Sequence, residues 1–225
     1  MEINNLVIEL TRRCNMTCDH CLRGDIQDKD ITYDILSSLL AENDITYIQS
    51  VIFTGGEPSL YGQGITDFID LCVYNDITIG TFYMTVNGKE CSDAFLAVLE
   101  DLYDFCTNKA QSKVDISRTM FHTGQDEDIV TKLKTLSFVY EREEFMESGD
   151  FTGIRRQGRG EDSTFVEGEE SISHELMYNS GDNISGILYL NVNGDICAGC
   201  DLSYTNQDIN KLGNITEDTL SDILI

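Results

Sequence analysis

The sequence lacks any apolar run long enough to cross a membrane. A transmembrane helix needs about 20 consecutive apolar residues, and no stretch of the 225-residue chain reaches that length. The first ten residues, MEINNLVIEL, also lack the basic start and long apolar centre of a signal peptide. We therefore expect a cytoplasmic protein without a membrane partner.

Basic residues are scarce. Lysine and arginine number 15 against 40 aspartates and glutamates, which gives a formal net charge of −25. Proteins that bind nucleic acids normally carry a basic surface, so a nucleic-acid partner is disfavoured. A local basic groove that binds nucleic acid is the alternative left undecided. Solubility or a salty environment is the simplest explanation of the acidity.

Cysteine, by contrast, is plentiful, with eight residues in the chain. Disulfides are rare in the cytoplasm, so a cluster of cysteines there indicates metal binding or chemistry. A chain of this length, with 41% hydrophobic residues, can bury a core without disulfides. We expect one domain, or one domain with a small extension.

Strand and helix patterns alternate along the chain. The predicted strands are 5–10, 48–54, 77–86, 113–117 and 150–156. The predicted helices are 32–42, 64–75, 92–106 and 125–143, with Thr32 and Ser92 as N-caps of the first and third. Such alternation predicts a parallel sheet with right-handed crossovers.

A closed barrel of this kind needs eight strand–helix units and about 250 residues. The count here stops at five or six, so we predict an α/β fold, an open partial parallel barrel with its site at the carboxyl ends of the strands. We predict that this barrel occupies residues 1–183 and that a small extension, a β-hairpin around Asn193-Gly194 and a helix capped by Thr216, occupies 184–225. For the polar segment 157–182, three alternatives are left open: a loop, a mobile cover or a partly disordered stretch.

Three cysteines follow the first predicted strand, at Cys14, Cys18 and Cys21. Thiolates select zinc and iron–sulfur clusters. A closed zinc site needs a fourth ligand, and His20 is poorly placed because it adjoins Cys21. A 4Fe–4S cluster needs no fourth residue if one iron stays open. A zinc loop and a cluster both remain open on these residues alone.

The stretch CNMTCDHC, with the spacing CxxxCxxC, resembles the signature of the radical S-adenosylmethionine (radical SAM) superfamily. The resemblance implies that Cys14, Cys18 and Cys21 bind a 4Fe–4S cluster. His20 stands where that family usually has an aromatic residue. It is planar and can pack on adenine.

The stretch VIFTGGEPSL after the second strand resembles the superfamily's GGEP motif. Two glycines let the backbone approach a ligand closely, and Pro58, the single proline of the chain, biases the residue before it toward an extended conformation. The resemblance implies that Gly55, Gly56 and Glu57 orient the methionyl end of SAM, whose ammonium group suits carbonyl and carboxylate acceptors.

Two weaker elements have the same order and spacing as in the family. Asn87, in MTVNG, and Ser117, in VDIS, end the third and fourth strands, and the resemblance implies that both line the SAM site. Arg155, Arg156 and Arg159 could hold a carboxylate, but solvated or acid-paired roles are equally open. The resemblance is firm over about residues 5–120 and loose over 121–182.

The C-terminal residues resemble the SPASM or shorter twitch extension of peptide-modifying radical SAM enzymes. The hairpin, the Gly213-Asn214-Ile215 segment and the following helix match, but only Cys197 and Cys200 are present. Two ligands do not hold a 4Fe–4S cluster, so the pair leaves open a second metal or cluster completed elsewhere, or a vestige without metal.

The resemblance implies an enzyme that reductively cleaves SAM at the cluster to a 5′-deoxyadenosyl radical, which abstracts hydrogen from a substrate. It implies a peptide or protein substrate and an electron donor such as flavodoxin or ferredoxin. No catalytic side chain is assigned. Two alternatives stay open: an activase for a glycyl-radical enzyme, which the twitch-like extension disfavours, and a non-catalytic metal-binding protein, which has no need of GGEP.

Overall fold

The structure is a computed structural model that describes residues 1–119, 121–142, 157–161, 177–179, 183–200 and 202–224. The strands are β1 (Glu2–Thr11), β2 (Tyr47–Gly55), β3 (Thr78–Val86), β4 (Lys113–Ser117), β5 (Val139–Arg142), β6 (Met177–Asn179), β7 (Asn183–Leu190), β8 (Asp195–Ala198) and β9 (Lys211–Asn214). The helices are α1 (Tyr33–Leu40), α2 (Gln63–Tyr74), α3 (Asp93–Phe105), α4 (Glu127–Leu133), α5 (Tyr204–Gln207) and α6 (Leu220–Ile223).

The strands form one sheet in the order β5-β4-β3-β2-β1-β7-β8-β9, with β6 paired to β7. Strands β1 to β5 and β7 run parallel, whereas β6, β8 and β9 pair antiparallel to their neighbours. The predicted fold class, an open parallel partial barrel, is confirmed. Strand β7 pairs directly with β1, so the predicted extension continues the barrel sheet, and the division at residue 183 stays a prediction.

Alternation along β1 separates the two faces of the sheet. Leu6, Ile8 and Leu10 belong to the large core beneath the helices, whereas Val7 packs against Tyr189 on the opposite, inner face. Fully burying a side chain of this size stabilises the fold by roughly 1.5–3 kcal/mol. The inner face also carries Glu9, which is completely buried, so the interior of the partial barrel is polar beside the site.

The N-caps of the first and third helices are confirmed. The hydroxyl of Thr32 accepts a hydrogen bond from Ile35 N, and that of Ser92 accepts one from Phe95 N. The prediction for the last helix was wrong: α6 is capped by Thr219. The Thr216 hydroxyl instead donates to Asn214 Oδ1, at 2.6 Å, and is therefore engaged before the helix begins.

The predicted fourth helix is too long. Helix α4 ends at Leu133, and Val139–Arg142 forms β5, which pairs with β4. Leu136 and Phe138 lie in the connection between α4 and β5 and are buried. Their spacing continues the apolar pattern of the helix, although the helix has ended at Leu133. The strand predicted at 150–156 lies outside the described residues.

The predicted hairpin is confirmed by the antiparallel pairing of β7 with β8. Its turn is not the two-residue form that an Asn-Gly pair favours. Asn191 N donates to Asp195 O, and Gly194 has a φ of +84°, which is typical of a three-residue loop that ends in a left-handed glycine. In the described part of the chain, no helix has the length and apolarity needed to cross a membrane.

Candidate functional site

The cysteine loop, residues 12–24, leaves the carboxyl end of β1. Its thiols at Cys14, Cys18 and Cys21 are all partly exposed. Burial raises the pKa of Cys14 and of Cys18, and charge on the neighbouring thiols raises both further. The three thiols therefore interact electrostatically. A bound cation that displaces their protons would offset the repulsion between the thiolates.

The three thiols are donors of the type that iron–sulfur clusters take. Among the described residues, no three Cys, His, Asp or Glu side chains are gathered closely enough to hold one metal ion. Thiolates around one zinc would all lie about 2.3 Å from the same point, whereas a cluster carries its thiolates on separate irons. Three half-buried thiols on one loop thus fit a 4Fe–4S cluster.

The GGEP loop, residues 55–60, packs directly on the cysteine loop. Gly56 N donates to Thr11 O at 2.6 Å, and Glu57 N donates to Arg13 O at 2.8 Å. A Cβ on Gly55 or Gly56 would overlap the carbonyl oxygen of Thr11 or Arg13, respectively. In the structure, Gly55 and Gly56 therefore lie close to the backbone of the cysteine loop. A close contact of these glycines with a ligand stays a prediction.

Glu57 is buried and fixes the turn that follows. Its carboxylate accepts hydrogen bonds from Ser59 N at 3.1 Å and from Asn87 N at 2.8 Å. Burial raises the pKa of Glu57 to about 7, against the opposing effect of those two donors. The carboxylate thus joins the carboxyl ends of β2 and β3, and it titrates near neutral pH.

Asn87 extends these contacts to the cysteine loop. Its Nδ2 donates to Asn15 Oδ1 at 2.8 Å, and Lys89 Nζ donates to Asn15 O at 2.7 Å. Gln125 Nε2 then donates to the carbonyl oxygens of Asn87, at 2.7 Å, and of Ser117, at 2.6 Å. The predicted residues Asn87 and Ser117 are thus linked by a glutamine that carried no recognisable sequence signal.

Several buried polar atoms in these loops lack a partner. Asn15 Nδ2, His20 Nδ1 and Ser59 Oγ find no hydrogen-bond acceptor or donor among the described residues. Buried polar groups without partners are rare in folded proteins. Their presence in the cysteine and GGEP loops supports a polar ligand such as SAM at this edge of the sheet.

His20 packs on an aromatic residue of the chain. Its ring lies 4.6 Å from that of Phe121 in a stacked arrangement and 5.1 Å from that of His122, edge to face. Burial lowers the pKa of His122 to about 4, and charge on His20 lowers it further. Phe121 thus covers a face of His20, and packing of His20 on adenine stays a prediction.

A buried polar network joins β1 to the C-terminal extension. The Glu9 carboxylate accepts hydrogen bonds from Arg12 Nε at 2.6 Å, Tyr189 Oη at 2.6 Å and Gln207 Nε2 at 2.7 Å. Arg12 Nη2 donates to Gln207 Oε1 at 2.5 Å, and its guanidinium lies 4.4 Å from the Tyr204 ring. Sequence reasoning missed this network because its members lie far apart in the chain.

The second cysteine pair has a different setting. Cys197 is completely buried against Val7 and Tyr189, its Sγ lies 3.6 Å from Gln207 O, and burial raises its pKa to about 12. Cys200 packs at the margin of the same cluster. The described residues bring no third ligand side chain to this pair that would complete a site for a metal ion.

Comparison with known proteins gives short sequence matches and long structural ones. No family model matches the chain. YfkA of Bacillus subtilis is 34% identical over 73 residues, 31% of this chain and 19% of that protein. GTP 3′,8-cyclase of Clostridium perfringens is 38% identical over 73 residues, 30% of this chain and 22% of that enzyme. The matched region thus spans about a fifth of each relative's length.

Two solved structures match almost the whole chain. BtrN in an open conformation has a TM-score of 0.54 at 16% identity, over 99% of this chain and 79% of that one. The protein anSMEcpe, with bound AdoMet and a Cp18Cys peptide, has a TM-score of 0.60 at 14% identity, over 99% and 80%. Both are radical SAM enzymes. At such identities the likeness shows the fold alone, and the chain has the open partial-barrel fold of radical SAM enzymes.

Proposed function

We propose that this chain is a radical SAM enzyme in which Cys14, Cys18 and Cys21 hold a 4Fe–4S cluster beside a SAM site. The observation that carries the proposal is the direct hydrogen bonding of the GGEP loop and of Asn87 to the cysteine loop. A loop that only bound zinc would not need these two partners. The shared fold supports the same conclusion.

The residues of the site have separate tasks. The three thiolates would hold the cluster through three irons and leave the fourth to SAM. Gly55, Gly56 and Glu57 would orient the methionyl group, and Asn87 and Ser117 would line the SAM site. When bound, the cluster and SAM together supply a 5′-deoxyadenosyl radical, and the protein contributes placement and exclusion of water.

A peptide or protein is the substrate that we propose. The twitch-like pattern of residues 184–225 supports it, and so does the likeness in fold to anSMEcpe, whose solved structure contains a peptide. The electron donor would be a flavodoxin or ferredoxin, and the location would be the cytoplasm, where the eight cysteine thiols stay reduced. A second metal or cluster at Cys197 and Cys200, one of the alternatives that the sequence leaves open, is not part of the proposal.

Anaerobic reconstitution with iron and sulfide tests the proposal. The wild-type chain should turn brown, bind about four irons and, with dithionite and SAM, release 5′-deoxyadenosine. Cys18→Ala should abolish both the absorbance and the product. A colourless zinc protein that leaves SAM intact would contradict the proposal and favour the non-catalytic alternative. A glycyl-radical activase would instead transfer the radical to a large partner enzyme.

A further inference from the structure

A short segment from a distant part of the chain docks on the cysteine loop. Arg159 N donates to Cys21 O at 3.0 Å, and Arg159 Nε donates to Cys18 O at 3.0 Å. Gly158, which precedes it, has a φ of +60°, and a Cβ there would meet the backbone of Cys21, Leu22 and Gly24. One residue thus bonds to the backbone of two of the three cysteines.

The same segment is held from its other side by the C-terminal extension. Gln157 Oε1 accepts hydrogen bonds from Ser203 N at 2.9 Å and from Asn206 Nδ2 at 2.8 Å. Ser203 also caps α5 through its hydroxyl. The backbone of Arg159 therefore lies between two fixed elements, and its guanidinium is positioned rather than left to solvent.

The guanidinium of Arg159 places a positive charge beside the cysteine loop. Its Nε lies 3.0 Å from Cys18 O, and two acids, Asp25 and Glu161, line the polar cavity of about 380 Å³ beside Arg159. In a chain with a net charge of −25, a cation held at this point opposes the field of the surface.

We propose that Arg159 sets the reduction potential of the cluster on Cys14, Cys18 and Cys21, as a positioning residue that stabilises its reduced state. The inference rests on the proposed function. Reduction moves one electron from a one-electron carrier protein, or from dithionite in vitro, to the oxidised cluster, and no bond forms or breaks. The added negative charge lies beside the guanidinium, and net charge and hydrogen bonding set the potentials of iron–sulfur clusters.

Two substitutions separate charge from structure. Arg159→Lys keeps the charge and a donor for Cys18 O, whereas Arg159→Gln keeps a donor and loses the charge. Lys109→Gln is the matched control, because it makes the same change in net charge near the amino end of β4, at the opposite edge of the sheet from the cysteines. The backbone bond from residue 159 to Cys21 O persists in every variant.

The experiment is a redox titration of the full-length reconstituted chain, followed by the electron paramagnetic resonance signal of the reduced cluster, with iron and sulfide measured for each variant. We expect Arg159→Gln to shift the midpoint to a lower potential at unchanged iron content. The midpoint potential of Arg159→Lys should stay near that of the wild type, and the midpoint potential of Lys109→Gln should equal that of the wild type.

Three results would overturn the inference: no shift in Arg159→Gln, equal shifts in Arg159→Gln and Arg159→Lys, or loss of iron from Arg159→Gln. The last would mean that Arg159 retains the cluster rather than tunes it. Failure of the proposed function gives a different result, because the wild-type chain would then assemble no 4Fe–4S cluster at all.

Discussion

The two groups of cysteines in this chain have the same ligand chemistry and opposite surroundings. Cys14, Cys18 and Cys21 lie partly exposed on a loop at the carboxyl edge of the sheet. Cys197 lies on β8 and is completely buried against apolar side chains. The cysteine loop also receives hydrogen bonds from the GGEP loop and from Asn87, whereas Cys197 Sγ itself contacts a backbone carbonyl.

This difference shows that setting, rather than spacing, decides what a thiol can do. A thiolate binds metal and a buried neutral thiol behaves as a small apolar side chain. At Cys197 the pKa of about 12 keeps the thiol protonated. The contrast predicts that the two groups respond differently to the same substitution.

The largest expected effect is on iron binding. Cys14→Ala should remove the iron–sulfur absorbance almost completely, because two thiolates do not hold the cluster. Cys197→Ala should keep the iron content of the wild type and lose about 1–2 kcal/mol of unfolding free energy from the small cavity. Iron analysis and urea denaturation measure the two effects. Equal loss of iron in both variants would break the contrast and indicate a second cluster.

The next effect concerns the network between the two regions. Glu9→Gln leaves the buried guanidinium of Arg12 without its countercharge, and we expect a loss of about 3–5 kcal/mol in unfolding free energy. Glu141→Gln is the matched control, because its partners Lys134 and Arg118 are well exposed and such pairs contribute about 0–1 kcal/mol. Similar losses in the two variants would mean that the inner network adds no special stability.

The third prediction concerns the close contact of the two loops. Gly55→Ala should cost about 2 kcal/mol more unfolding free energy than Gly124→Ala. Both residues have positive φ, +135° and +82°, so an alanine is strained at either position. A Cβ at Gly55 overlaps Thr11 O, whereas nothing lies within 4 Å of one at Gly124. Equal costs would show that the loops separate easily.

The last prediction concerns the dependence of stability on pH. The pKa of Glu57 rises from its ordinary 4.5 to about 7 in the folded chain. Between these values the folded state holds the extra proton, so stability falls as pH rises through this window. Relative to Glu57→Gln, the wild type should lose about 3 kcal/mol of unfolding free energy across this window. Urea titrations across this range measure it, and parallel pH curves for the two proteins would refute it.

Local patterns were enough to predict strands β1 to β4 and helices α1 to α3. The residues VIFT before the GGEP motif are typical of a strand end, and the caps Thr32 and Ser92 follow from hydroxyls ahead of apolar periodicity. The boundary between α4 and β5 did not follow, because the buried residues Leu136 and Phe138 continue a helical spacing. The sequence pattern alone does not show where a stretch of buried residues changes from helix to strand.

The site was predictable as a set of motifs but not as a set of contacts. The sequence placed cysteines, glycines and Asn87 at successive strand ends, and parallel strands bring such ends to one edge. Gln125, Gln207 and the docking of Arg159 were not predictable. Each depends on a side chain that reaches across a sequence separation of up to 198 positions, which leaves no periodic or spacing signal.

The pairing of β1 with β7 has a consequence for biosynthesis. Strand β1 lies inside the finished sheet, between β2 and β7, but on the ribosome it stays an edge strand until the residues of β7 have been made. Unpaired edges invite association with other chains, and Glu9 stays without Tyr189 and Gln207 for the same interval. Under the proposed function, the cysteine loop of the nascent chain would be accessible for cluster assembly before Leu202 and Tyr204 bond to Arg23.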